Sequence, residues 1–469
     1  MTERVSVPGP AGGQLVDRFG TVHRSRDHRA VSAFGDAVVA VAAHRSDPAA
    51  AIDRALACDP NLVAAHALRA FGGVILARAE TVVAARVAGE AARTAAGEHD
   101  SLTTAEAALL EALDPALEGR LLAAADILGR YLQQEPQALL LLKLACALRF
   151  IGGDPQGMRR TTTCVLSAWR TDAAGFGFVL GCHAFALEET GDLAGAERAG
   201  IEAVEREPTD AWGLHAVTHV HEMTGRTAEG IAWLERTRKQ WTGCNNFAFH
   251  LAWHLALFHL ERGDHAKVLE LYDNEVRAVR TEDFRDIANA VSLLCRLRQH
   301  GVAVGERWQE LAQVARRRRH DTTLLFATLH HLLALIAVGD RGASNDLLLA
   351  LQRIATAEAG DQGRVAAAVG LPFARVLLSS TDSGQPCWPL DEIAAALQQL
   401  GGSHAQRDLF LRILLERAAQ DDDVATVAEL LAVRRTVKRD DCFADRLTKQ
   451  RVMAPLPAGA VAGAAQSGP

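Results

Sequence analysis

Two pairs of histidines, His215 and His219 and then His250 and His254, carry the most chemistry in this chain. Residues four apart share one face of a helix, so each pair can turn two imidazoles toward one point. Two such rings can chelate a first-row metal, with a carboxylate as a third ligand. Glu222 lies seven residues after His215 and falls on the same face. A neutral imidazole oriented by a carboxylate is also a general base near neutral pH, and a protonated one binds carboxylates or phosphates. His215, His219, Glu222 and His254 are therefore the catalytic candidates, and the same four are the candidates for a divalent transition metal. The pattern is not His-Glu-x-x-His, and no cysteine joins it at ligand spacing, so a metalloprotease motif is absent.

These residues precede a recurring Gly-centred turn. Gly191-Asp192, Gly225-Arg226 and Gly263-Asp264 stand 34 and 38 residues apart, and Gly339-Asp340 follows. His183 lies upstream of the first turn and His330 upstream of the last, so six histidines recur before such turns. Stacked repeats align equivalent positions along one surface, which predicts a wall of imidazoles. Asp47-Pro48, Glu135-Pro136 and Glu207-Pro208 mark helix junctions, where proline ends one helix and starts the next.

Composition agrees with a helical array. The 469 residues are 49% hydrophobic but only 5% aromatic, with alanine and leucine filling the interior. No segment alternates well enough to be a strand. The expected fold is all-α, a right-handed superhelical array of helix-turn-helix repeats of tetratricopeptide type over residues 21–452, clearest over 176–275. Residues 1–20 and 453–469 are expected to be disordered, and Ser379 to Pro389 reads as a loop.

The net charge of −7 gives no footprint for nucleic acid. The run Arg316 to His320 reads as a solvated helix end. No stretch suits a signal peptide or a membrane span, and the cysteines form no C-x-x-C pair, so a soluble cytoplasmic protein with free thiols is expected. No phosphate-binding glycine motif occurs in context, so no nucleotide cofactor is expected.

Three further strings carry a resemblance. His215-Ala216-Val217-Thr218-His219-Val220-His221-Glu222-Met223, Trp253-His254-Leu255-Ala256-Leu257-Phe258-His259-Leu260 and Gly401-Gly402-Ser403-His404-Ala405-Gln406-Arg407-Asp408 resemble, in this order, the tetratricopeptide repeat protein 38 family. The resemblance covers roughly residues 30 to 435. It implies a helical-repeat fold and leaves the mechanism open. The family often carries a polar residue shortly before the histidine that aligns with His330. Here Ala327-Thr328-Leu329 precede it, which weakens any site that needs a second polar group there.

Gly401-Gly402 reads as a helix stop, with Ser403 as the next N-cap and Gln406 completing a capping box. His404 and Arg407 are left to close the end of a groove. The full ligand-binding set is thus His183, His215, His219, Glu222, His250, Trp253, His254, His330, His404 and Arg407. Two functions fit it. In one, the concave face is a histidine-lined pocket for a small polar or anionic molecule, catalytic by general acid/base or metal assistance. In the other, the groove holds a peptide or protein partner, a use that favours Lys, Arg and Asn, and this chain has only five lysines. A purely structural ladder of hydrogen-bonded His and Glu is a third reading.

Overall fold

The structure is a computed structural model that describes residues 13–357, 360–379, 389–439 and 441–452. The 1–12 and 453–469 segments and residues 380–388 of the expected loop lie outside the described residues.

The chain is mostly helical. Successive helices are joined by tight turns and pack side by side in sequence order. The Gly-Asp turn explains why. Gly191, Gly225, Gly263 and Gly339 all take positive φ, between 69° and 86°. At the first, Gly191 N–H donates to the Glu188 carbonyl and Asp192 N–H to the Leu187 carbonyl. This pair of bonds closes one helix in a left-handed turn that favours glycine. Asp192 then caps the next helix by accepting from Gly195 N–H at 3.0 Å. Asp264 and Asp340 do the same for Lys267 and Ala343. One dipeptide thus ends one helix and starts another.

The first helix of each pair is inward. Phe176–Glu188, Ala211–Met223, Phe247–Glu261 and Leu325–Ala337 are buried along nearly their whole length. Their partners, such as Leu193–Arg206, bury only one stripe. The inner face is not left open. The helix His404–Gln420 is buried on most sides and packs against Ala211–Met223 and Phe284–Gln299. Its capping box forms as the sequence predicts, with Ser403 accepting from Gln406 N–H. Distant parts meet elsewhere too. Asn245 N–H donates to the His44 carbonyl at 2.7 Å, and Arg439 N–H to that of Met223 at 3.0 Å.

Two expectations need correction. Residues 14–20 are ordered into a short ribbon, in which Gln14–Val16 pairs antiparallel with Val22–Arg24. Asp17 builds its turn, accepting from Phe19 N–H and Thr21 N–H and facing His23 Nε2 at 3.0 Å. Strands of three residues are too short for alternation to show in sequence. The run Arg316–Arg319 does end a helix, Arg307–Arg318, but it is ion-paired. Arg316 meets Asp340, Arg317 meets Glu282, Arg318 reaches Glu80 and Glu282, and Arg319 meets Asp346. Among the described residues the cysteines are free, and no helix is long and apolar enough to cross a membrane.

Candidate metal centre

The four paired histidines meet in the interior, between the helices Ala211–Met223 and Phe247–Glu261. His215 Nε2 lies 2.9 Å from His250 Nε2 and 3.2 Å from His254 Nε2, and the last two are 3.2 Å apart. With the ligand atom of His219, all four lie within 4.8 Å of one another. The sequence expected the pairs at equivalent repeat positions. Counted back from the turn glycines, His215 stands 10 residues before Gly225 and His250 stands 13 before Gly263. The three-residue offset is nearly one helical turn. It lets the ring of His215 face both His250 and His254.

The opposite nitrogens decide the protonation. Glu222 Oε2 faces His254 Nδ1 at 2.9 Å. Lys438 Nζ donates to Glu222 Oε1 at 3.2 Å. Burial would raise the Glu222 carboxyl, but Lys438 and His254 hold it well below the usual carboxylate range. An ionised carboxylate only accepts, so the His254 proton sits on Nδ1 and its Nε2 carries a bare lone pair. Asn289 Oδ1 faces His250 Nδ1 at 3.0 Å and, in this amide orientation, accepts the same proton there. Two lone pairs therefore point at each other across 3.2 Å. A proton on His215 Nε2 satisfies one of them, not both. His215 Nδ1 and His219 Nε2 are buried without a partner among the described residues. Burial, with neighbouring imidazoles, pushes His215 well below its ordinary pKa, and burial brings His254 down to about 4. The rings of His215, His250 and His254 thus stay neutral, the form that ligates.

A cation resolves this arrangement. With metal–nitrogen bonds of about 2.0–2.1 Å, the observed nitrogen separations subtend roughly 90–105° at a shared ion. The three Nε2 atoms would then sit on one side of an ion, with His219 beside them. A His whose far nitrogen is held by a carboxylate or amide is the usual support of a metal ligand. The same support appears at His219, whose Nδ1 lies 3.2 Å from Glu188 Oε2. Burial lowers the pKa of His219, but Glu188 and Glu189 outweigh it and raise it overall.

Other predicted residues fall in different places. Glu222 is behind His254 and does not join the donor set, and His250 takes the place assigned to it. Trp253 is fully buried and stacks on His250 with ring centres 5.3 Å apart, so it flanks the cluster. His183 does not reach the site; its Nδ1 meets Thr162 Oγ1 at 3.1 Å. His330 donates from Nδ1 to the Phe326 carbonyl at 2.7 Å and packs against Phe410. His404 and Arg407 hold Glu189, through His404 N–H at 2.8 Å and Arg407 Nη2 at 3.1 Å. They close the end of the cluster through that carboxylate.

The residues that sequence reasoning missed are Glu188, Glu189, Asn289 and Lys438. Glu188 had a signal: it stands three residues before Gly191, as Glu222 does before Gly225. Asn289 and Lys438 had none, because they come from helix pairs outside the matched strings. No protein-family model matches the chain.

The buried histidines outside the cluster set a pH dependence. Burial brings His330 down to about 3 and His331 to about 4. Above pH 6.5 both are neutral whether the chain is folded or not, and stability is flat with respect to them. Below it, the unfolded chain takes up the proton first, so stability falls as pH drops from about 6.5 toward the folded values. His330 alone should remove about 2 kcal/mol between pH 6.5 and pH 5. Denaturant melts of His330→Leu at the two pH values should show a correspondingly smaller loss than wild type. An equal loss would show that His330 is protonated or exposed in the folded protein.

Proposed function

We propose that this protein is a metalloprotein whose buried cluster His215, His219, His250 and His254 holds one divalent first-row transition ion. The observation that carries the reading is the triangle of Nε2 atoms at 2.9–3.2 Å, with two bare lone pairs facing each other. Imidazole donors suit zinc, copper, nickel, cobalt or iron. The four ligands would be imidazoles, with the carboxylates of Glu222 and Glu188 directly behind two of them to offset the charge of the ion. This is the setting for metal-assisted chemistry on a small polar or anionic molecule. Glu222 and Asn289 would keep two rings in the ligating tautomer, and Glu188 with Glu189 would orient the ring of His219.

The repeated Gly-Asp turns and inward first helices support a divergent tetratricopeptide superhelix, and the three matched strings support membership of the tetratricopeptide repeat protein 38 family. A cytoplasmic location fits the free thiols. The peptide-scaffold alternative is disfavoured by His404–Gln420 and Lys438, which occupy the inner face that a peptide would need. The structural ladder has an observation of its own. Glu188–His219, Glu222–His254 and Asn289–His250 each join neighbouring helices. A ladder alone leaves His219 Nε2 buried without a partner among the described residues.

Elemental analysis of purified full-length protein by mass spectrometry tests the proposal. We expect about one transition ion per chain, and none in His215→Ala/His254→Ala. Metal-free wild type that also fails to take up zinc, copper, nickel, cobalt or iron would sink the proposal and leave the ladder.

A further inference from the structure

The cluster approaches solvent near His250, which keeps 7% exposure while the other three histidines keep 0–1%. Phe247 stands beside it, with ring centres 5.6 Å apart, and Phe247 and Trp212 both flank His215, at 5.1 and 5.4 Å. A fifth histidine covers these two rings. His44 stacks on Phe247 at 4.4 Å and 22° and on Trp212 at 5.4 Å and 24°. It comes from the other end of the chain, in the connection between the helices His28–Ala42 and Pro48–Cys58.

The way His44 is held differs from the way the cluster is held. Among the described residues its ring has no hydrogen-bond partner, so stacking alone places it. Its backbone, at φ of 52°, forms the left-handed stop of His28–Ala42, with Arg45 N–H donating to the Ala40 carbonyl at 2.8 Å, and Asp47, at φ of 84°, caps Pro48–Cys58. The connection is pinned by its backbone to the segment that leads into Phe247–Glu261. Asn245 N–H donates to the His44 carbonyl at 2.7 Å, Asn245 Nδ2 donates to the Arg45 carbonyl at 3.4 Å, and Arg45 pairs antiparallel with Cys244. A swing of the His44 side chain breaks no hydrogen bond among the described residues and uncovers Phe247 and Trp212.

We propose that residues 43–47 form a gate over the metal centre, with His44 as the element that swings. The inference rests on the metal reading above. Closed, the gate covers the two aromatic rings that flank His215. Opened, it gives an entrance lined by aromatic rings, suited to the ion itself and to molecules of a few heavy atoms.

The test follows the loss of Co2+ from the loaded full-length protein to excess EDTA, read from the cobalt absorbance. His44→Ala should keep the same cobalt content and lose it at least 10-fold faster. Arg45→Cys supplies the opposite arm, because an antiparallel pair has the Cα spacing of a disulfide and Cys244 is already present. Its oxidised form should lose cobalt at least 10-fold more slowly than its reduced form. Unchanged rates in both variants, with cobalt bound, would overturn the gate and leave the metal centre standing. Wild type that binds no cobalt would remove the metal reading and the gate together.

Discussion

His250→Ala is expected to bind Zn2+ or Co2+ roughly 100- to 1000-fold more weakly than wild type. Structural sites of four ligands bind zinc with about 10–16 kcal/mol, so one ligand accounts for about 3–4 kcal/mol. His250 is the informative position because its Nε2 is 2.9 Å from that of His215 and 3.2 Å from that of His254. Asn289→Ala should weaken binding by a smaller factor, about 10- to 100-fold, because it removes only the bond that fixes the ring of His250. His183→Ala and His330→Ala should leave affinity unchanged, since Thr162 and the Phe326 carbonyl are their partners. Competition against a chromophoric chelator gives all four numbers. Equal affinity for His250→Ala and His183→Ala would show that the triangle is not the binding site.

The histidine pairs were legible because i, i+4 spacing is a property of one helix, and the tight turns showed that the two helices are neighbours. What lay beyond one helix pair was not legible. The offset between His215 and His250 depends on Phe247–Glu261 starting further from its turn than Ala211–Met223 does. Recurrence before a Gly turn therefore overstated the role of His183 and His330. His330 stands nine residues before its glycine, the same count as His254, and is set apart only by its partner, the Phe326 carbonyl, while His183, eight before its glycine, meets Thr162. The exposure of the site was also misjudged. A repeat array suggests an open concave wall, but His404–Gln420 packs against it and carries the charged residues Arg407, Asp408 and Arg412 inward. The sequence showed its capping box plainly, and nothing local said which surface it would cover.

Glu222→Ala is expected to cost about 3–5 kcal/mol of folding stability, the largest single loss among the site residues, because it leaves a buried cation without its partner. Lys438 is buried and bonds Glu222 Oε1 at 3.2 Å, with Asp441 3.7 Å away. Asp441 is already engaged by Arg434, which also holds Asp408 through two bonds. Asp441 stays within ion-pair distance of Lys438 but is shared with Arg434, so it replaces Glu222 only in part. The C-terminal segment that carries Arg434, Lys438 and Asp441 is thus tied to His254 through one side chain. Removing both charges should undo much of the damage. Glu222→Ala/Lys438→Met should be markedly more stable than Glu222→Ala alone, the signature of coupled neighbours in a double-mutant cycle. Denaturant melts of chelator-treated protein measure this term apart from metal binding. The double variant should still bind Zn2+ more weakly than wild type, since nothing then fixes the proton on His254 Nδ1. Stability lost without loss of affinity would make Glu222 a packing residue. Affinity lost even where the double variant regains its stability separates the role of Glu222 at the ion from its role in the fold.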